Sequence, residues 1–228
     1  MRADIERRYH TTEFEHRTDG DTLIITGYAL KWESRSKNLG GFKERVAPGA
    51  TTRTIAEGDI RALFNHDPNL ILGRSRSRSG TLRLSNDDTG TLYEVTGDLR
   101  QTYVRDLAIA LERGDITQSS FAFRTVGPDG DSWDEDEDGF LLRTLREIQL
   151  FDVSPVTYPA YEDSTSGIRK RALAILAERR GIPLDEVERD LRAVVLGRDT
   201  GATDAVSALP LYDLPADPAL ALFALRNR

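Results

Sequence analysis

The sequence predicts a mixed α+β fold, and three observations predict it. Most of the first 165 residues break into short runs rich in β-branched and aromatic residues, separated by turn residues. One amphipathic helix interrupts them near residues 102–113. From about residue 166 the strand-like runs stop and a helical pattern takes over. The 228 residues therefore divide into a β-rich core, 1–165, and a helical, partly flexible tail, 166–228.

Residues 12–32 read as a β-hairpin, with Asp19-Gly20 as the turn signal. A polar loop follows through Gly40-Gly41. Residues 42–50 form a short strand ending at Pro48-Gly49, and a weak helix runs over 51–57. Ile60-Arg61-Ala62-Leu63-Phe64 is a buried strand leading to Asn65-His66, and Asp67-Pro68 is expected to stop it. Residues 70–99 are strand-rich, with a turn at 86–90. In the helix at 102–113, Val104, Leu107, Ala108 and Leu111 share one face, and Gly114 suits the position just past its end. Residues 116–126 are strand-like, an acidic loop follows, and 140–158 read mainly as strand, broken at Pro155 and Pro159. Residues 169–180 and 183–196 are two helices, the second opened by Pro183. From Arg198 the chain is loop-like and ends in an apolar stretch at 219–225.

Composition narrows the chemistry. The chain has no cysteine, so disulfides, thiol nucleophiles and thiolate metal sites are excluded. With no thiol available, a hydroxyl is the expected nucleophile of an enzyme of this composition. Only three histidines, His10, His16 and His66, are available as imidazole bases. Net charge is -7, which argues against charge-driven nucleic-acid binding. No apolar run reaches the ~18 residues of a membrane span, and the first residues lack a signal-peptide core. A cytoplasmic protein with neither a nucleic-acid nor a membrane partner is expected.

Several motifs have competing readings. Asp134, Asp136, Asp138 and Gly139 match EF-hand positions one, three, five and six, but position twelve is Leu145 where a bidentate Glu is needed. The stretch is therefore read as a solvated acidic hairpin loop. The alternation Arg74-Ser75-Arg76-Ser77-Arg78-Ser79 is that of a strand with one charged face, with Arg74 also a candidate for a substrate pocket. His10 and His16 read as surface residues. His66 stands at a strand end, where site residues are often displayed, though a structural histidine fits there equally well. Ser119-Ser120 opens a strand, and Glu147 lies within a strand-like run, where a carboxylate near a core needs a partner.

Taken in order, a set of stretches resembles the prohead proteases of HK97-type tailed bacteriophages, maturation proteases distantly related to herpesvirus assemblins. The stretches are Ile25-Thr26-Gly27-Tyr28-Ala29, Glu44-Arg45-Val46-Ala47-Pro48-Gly49-Ala50, and Ala62-Leu63-Phe64-Asn65-His66-Asp67 through Leu72-Gly73-Arg74. Gly114 through Ser120-Phe121-Ala122-Phe123, and Glu147 through Val153-Ser154-Pro155-Val156-Thr157-Tyr158-Pro159-Ala160, complete the set. They span most of residues 20–165 and leave the tail uncovered.

The resemblance implies an assemblin-like, β-barrel-type sheet with flanking helices. It implies a serine endopeptidase, without a cofactor, that cleaves capsid and scaffold proteins and itself inside the assembling procapsid in the host cytoplasm. A homo-oligomer is a further possibility, and the tail is either a tether or a self-cleaved segment. The family nucleophile falls on Ser120, with Ser119 as runner-up, and the family histidine on His66. The assemblins' second histidine corresponds to Glu147, which makes a carboxylate the third member; Asp152 is the alternative, on the opposite face by simple alternation.

The implied chemistry is coherent. A serine hydroxyl needs an adjacent base, an imidazole can take and return its proton, and a carboxylate on the other ring nitrogen fixes the tautomer. One departure stands out. The assemblin arginine pair is missing from Val153-Ser154-Pro155-Val156, so oxyanion stabilisation falls to backbone N–H groups or a remote arginine such as Arg74. The competing readings are a non-enzymatic assembly protein on the same fold and, more distantly, a metal-dependent hydrolase, for which no ligand spacing is present.

Overall fold

A computed structural model describes residues 5–10, 14–39, 42–77, 79–137, 141–157 and 166–195. Its strands are β1 (Glu6–His10), β2 (Glu15–Asp19), β3 (Thr22–Lys31), β4 (Phe42–Val46), β5 (Asp59–Phe64), β6 (Asp67–Arg76), β7 (Ser79–Gly80), β8 (Leu82–Asn86), β9 (Gly90–Asp98), β10 (Gln118–Thr125), β11 (Asp131–Glu135), β12 (Leu141–Leu145) and β13 (Ile148–Val156). The helices are α1 (Thr52–Glu57), α2 (Thr102–Glu112), α3 (Ser166–Arg180) and α4 (Leu184–Val195). The fold is mixed α+β with several sheets and few helices.

Alternation of side chains explains the first unit, which comprises Met1–Ser34, Arg45–Ser132 and Thr144–Asp163. In β3, Leu23 and Ile25 are buried while their neighbours are half-buried, the period of two expected of a sheet with one core face. These residues join Tyr93 and Val95 of β9, Phe121 and Phe123 of β10, and Ile148, Leu150 and Val153 of β13 in one apolar core. Helix α2 adds Val104, Leu107 and Leu111 to it. Gly114, with φ +76°, takes the left-handed conformation just beyond that helix, where a side chain would be strained.

The strands are hydrogen-bonded in the orders β1-β10-β13-β5-β6-β7, β2-β3-β9-β8 and β11-β12-β4. No closed barrel forms among the described residues, and the sheets have open edges. The physical reason lies at the edges. The six-stranded sheet ends in β1 on one side and in β7 on the other, and a two-residue strand cannot carry a closing ladder. β5 ends at Phe64, ahead of Asp67-Pro68, and β6 starts at Asp67. The β5–β6 register jumps between Leu63 and Phe64, from Ile71 to Asp67, so Pro68 lies in an irregular stretch that needs no ladder N–H from it.

The second unit comprises Arg35–Glu44, Trp133–Arg143 and Ser164–Arg228. Ala172, Leu176 and Ala177 of α3 and Val187 of α4 pack with Leu39, Phe42 and Leu141. The helical segment is thus part of a folded unit with its own apolar core. Asp136, from the acidic run, has a buried side chain paired with Lys43 at 3.0 Å, whereas Asp134 and Glu135 are exposed. Among the described residues no acidic cluster suits a metal ion, and no helix is long and apolar enough to cross a membrane. The loop and apolar stretch expected beyond Arg198 lie outside the described residues.

Candidate active site

Two neighbouring strands bring the polar groups together. β10 and β13 are antiparallel, with Ser120 opposite Ser154 and Ala122 opposite Asp152. Opposite residues in a ladder share a face, so Ser120, Ser154 and Asp152 stand on one side of the sheet. Ser119 turns the other way, toward the core. Its hydroxyl lies 3.4 Å from the phenol oxygen of Tyr93. Burial pushes that phenol up to about 12, so it stays neutral.

A β-bulge places Asp152. Between Ala122 and Phe123 the register on β13 steps from Asp152 to Leu150, which leaves Phe151 without a partner. The extra residue reverses the alternation. Ile148 and Leu150 face the core before the bulge, and Val153 faces it after. Asp152 is thereby turned from the core onto the face of Ser120.

His66 arrives from the β5–β6 turn. Asn65 and His66 have φ +55° and +56°, the pattern of a two-residue type I′ hairpin loop. Asparagine is among the residues that tolerate this conformation best, and here its side chain also anchors the turn. Thr157 donates its backbone N–H to Asn65 Oδ1 at 2.8 Å, and Asn65 Nδ2 donates to Thr157 Oγ1 at 3.0 Å. The Asn65 N–H donates to the carbonyl of Pro155 at 3.1 Å. Three hydrogen bonds thus fasten the turn to the end of β13, with the imidazole reaching over the neighbouring strands.

The result is a continuous chain of contacts. His66 Nε2 is 2.6 Å from Ser120 Oγ, and His66 Nδ1 is 2.5 Å from Asp152 Oδ1. Ser154 donates its hydroxyl to the same carboxylate oxygen at 2.9 Å and so orients it. A carboxylate only accepts, so Nδ1 is the donor, and in the neutral ring Nε2 is left as the acceptor facing the serine. The Ser120 hydroxyl also lies 2.9 Å from the backbone carbonyl of Arg8 on β1. A hydroxyl has one proton, so the neutral imidazole and the Arg8 carbonyl compete for it. Ser120 is fully buried, and the side chains of His66 and Asp152 are 8% and 10% exposed.

The residues singled out in the sequence separate here. His66, Ser120 and Asp152 converge. Glu147 does not: its carboxylate lies 3.3 Å from Arg53 Nη1 and is 39% exposed. The carboxylate beside the imidazole is Asp152 rather than Glu147, because the bulge at Phe151 breaks the uniform alternation that had set Asp152 on the opposite face. Arg74 is bound to Asp59 at 2.6 Å on an exposed part of the sheet. Its hydrogen bond is the main reason the Asp59 carboxyl is lowered to about 2. His16 is exposed, and the backbone of His10 pairs with Ser119. No sequence motif gives Ser154 or Arg8 a role at the site. For Ser154 a signal was present, since it stands two residues from Asp152 on the same strand face.

The sequence model of the caudovirus prohead serine protease family matches residues 9–178 of the chain. That match spans β10, β13 and the β5–β6 turn, and so covers all the converging residues. No curated protein matches the chain.

Proposed function

Because this chain belongs to the caudovirus prohead serine protease family, and is thus a serine peptidase of the prohead type, we propose that Ser120, His66 and Asp152 are its reacting residues. The substrates are the scaffold and capsid proteins of an assembling procapsid, together with the chain itself. The single observation that carries this reading is the unbroken contact from Ser120 Oγ through the His66 ring to Asp152.

The geometry suits acyl transfer. Ser120 Oγ attacks the scissile carbonyl carbon while His66 Nε2 accepts the hydroxyl proton. Asp152 stabilises the imidazolium that forms at Nδ1. The same Nε2–H then passes the proton to the departing amine, which leaves an ester on Ser120. A water molecule, deprotonated by the regenerated base, attacks that ester, and the Nε2–H so formed returns its proton to Ser120 Oγ as the acid product leaves. Arg74 is held by Asp59, which favours backbone N–H groups as the donors to the oxyanion.

The test is processing in assembling particles. Ser120→Ala folds and assembles but yields no mature-length capsid or scaffold fragments by mass spectrometry, whereas the wild type yields them. Fragments of wild-type mass from the variant contradict the assignment.

A further inference from the structure

β1 is a five-residue edge strand whose ladder runs only along β10 among the described residues. The register pairs Arg8 with Phe121 and Tyr9 with Ser120, so β1 crosses directly beside the serine. The Arg8 carbonyl takes a hydrogen bond from Ser120 Oγ, and the serine has no exposed surface. A substrate carbonyl cannot reach Oγ while this strand is in place. The hydroxyl proton that His66 must accept is also offered another acceptor. Yet a peptide backbone held antiparallel to β10, with one carbonyl against Oγ and the imidazole behind it, is what a peptidase substrate must present.

We infer that the edge of β10 is the docking strand for substrate, which binds as an added antiparallel β-strand, and that β1 is an internal occupant that must leave first. This rests on the peptidase reading and says how that same site takes its substrate. In the register of β1, the carbonyl beside Ser120 belongs to the residue that takes the place of Arg8. The Arg8 guanidinium lies 5.6 Å from the centre of the Phe123 ring, so that ring borders the corresponding substrate side chain.

The strand is held by features that can be reversed. Arg8 and Glu6 are both buried and pair at 2.8 Å. Placing an acid at position 8 sets two carboxylates side by side in a site where charge is poorly solvated. A short edge strand has one ladder to lose. Residue pairs across that ladder also permit a reversible lock, because the chain contains no cysteine of its own. Arg7 and Ala122 are directly opposite, a spacing that a disulfide can bridge.

Two full-length variants test the inference, each folded by circular dichroism. The first is Arg8→Asp. The second carries Arg7→Cys with Ala122→Cys and is compared oxidised and reduced. One readout is the rate at which a serine-directed phosphonate labels Ser120. The other is binding of a fluorescent peptide of the sequence Ile5–His10, which needs no catalysis and is repeated with Ser120→Ala. Labelling and peptide binding rise at least about tenfold in Arg8→Asp over the wild type, fall in the oxidised lock, and return on reduction. Equal peptide binding in the oxidised and reduced lock, or none in folded Arg8→Asp, overturns the inference. Peptide binding that follows the lock while Ser120 is never labelled leaves the docking strand standing and counts instead against Ser120 as nucleophile.

Discussion

The carboxylates at the two ends of one short stretch have opposite fates. Glu147, just before β13, reaches outward to Arg53 in solvent, while Asp152, five residues on, is buried against an imidazole. Both are acids beside the same strand, and uniform alternation would put Glu147 on the outer face and Asp152 in the core. The single unpaired residue at Phe151 separates them. Before the bulge the outer face meets water; after it, the outer face of β13 is covered by the β5–β6 turn and lies beside β10, whose other edge is taken by β1. The position of a carboxylate along the strand says less about its chemistry than which side of the bulge it stands on.

The largest effect that can break this comparison comes from neutralising each acid in turn. Asp152→Asn leaves the volume intact but allows the wrong imidazole tautomer, and a loss of roughly ten-thousandfold in turnover is expected from comparable triads. Glu147→Gln leaves turnover at the wild-type level, measured on the same substrate. The reverse ranking would return the third position to Glu147.

The next effect sharpens the inner half of the comparison. Ser154→Ala removes the hydroxyl that donates to Asp152 Oδ1. Turnover drops by about tenfold, the scale of a lost orienting hydrogen bond to a charged group, with little change in KM. Steady-state kinetics on one peptide substrate separates the two constants.

Asn65→Ala tests how firmly the turn holds the imidazole over the strands. It removes both side-chain bonds to Thr157 and puts a less tolerant residue at positive φ. Stability falls by about 1–3 kcal/mol in urea unfolding, and turnover falls with it. Asn65→Gly relieves the backbone but still lacks the anchor, and lies between the two.

The smallest effect concerns an exposed pair that lacks the burial of the His66–Asp152 contact. The hydrogen bond from Arg74 holds the Asp59 carboxyl at about 2, below its ordinary value of 3.8. A carboxyl lowered on folding favours the folded state above its unfolded pKa, and that contribution disappears as pH falls from near 4 through about 2. Arg74→Gln brings the Asp59 carboxyl back toward the ordinary range in an NMR titration, and screening by solvent keeps the accompanying change in acid stability small.

Much of this organisation was legible from residues alone. β-Branched and aromatic residues mark β3, a buried apolar run marks β5, the spacing of Val104, Leu107 and Leu111 marks α2, and the ordered motifs of the family resemblance single out His66 and Ser120. The bulge at Phe151 was not legible, because nothing in Leu150-Phe151-Asp152 distinguishes a bulged strand from a regular one. Ser154 is legible only through its spacing of two from Asp152, and its hydroxyl matters only once Asp152 is turned to the face of Ser120. β1 was not legible either: Glu6-Arg7-Arg8 reads as a charged surface segment, and only long-range pairing with β10 buries its Glu6 and Arg8 side chains. The open sheet edges likewise depend on a two-residue strand that no local signal marks.

The most direct measurement is the site and rate of labelling by a serine-directed phosphonate, read by peptide mass in the wild type, His66→Ala, Asp152→Asn and Glu147→Gln. Adduct is expected on Ser120, assigned by fragmentation of the labelled peptide, in the wild type and in Glu147→Gln, and is expected to be lost in His66→Ala and Asp152→Asn. Adduct on Ser119, or labelling that survives Asp152→Asn and disappears in Glu147→Gln, would contradict the account.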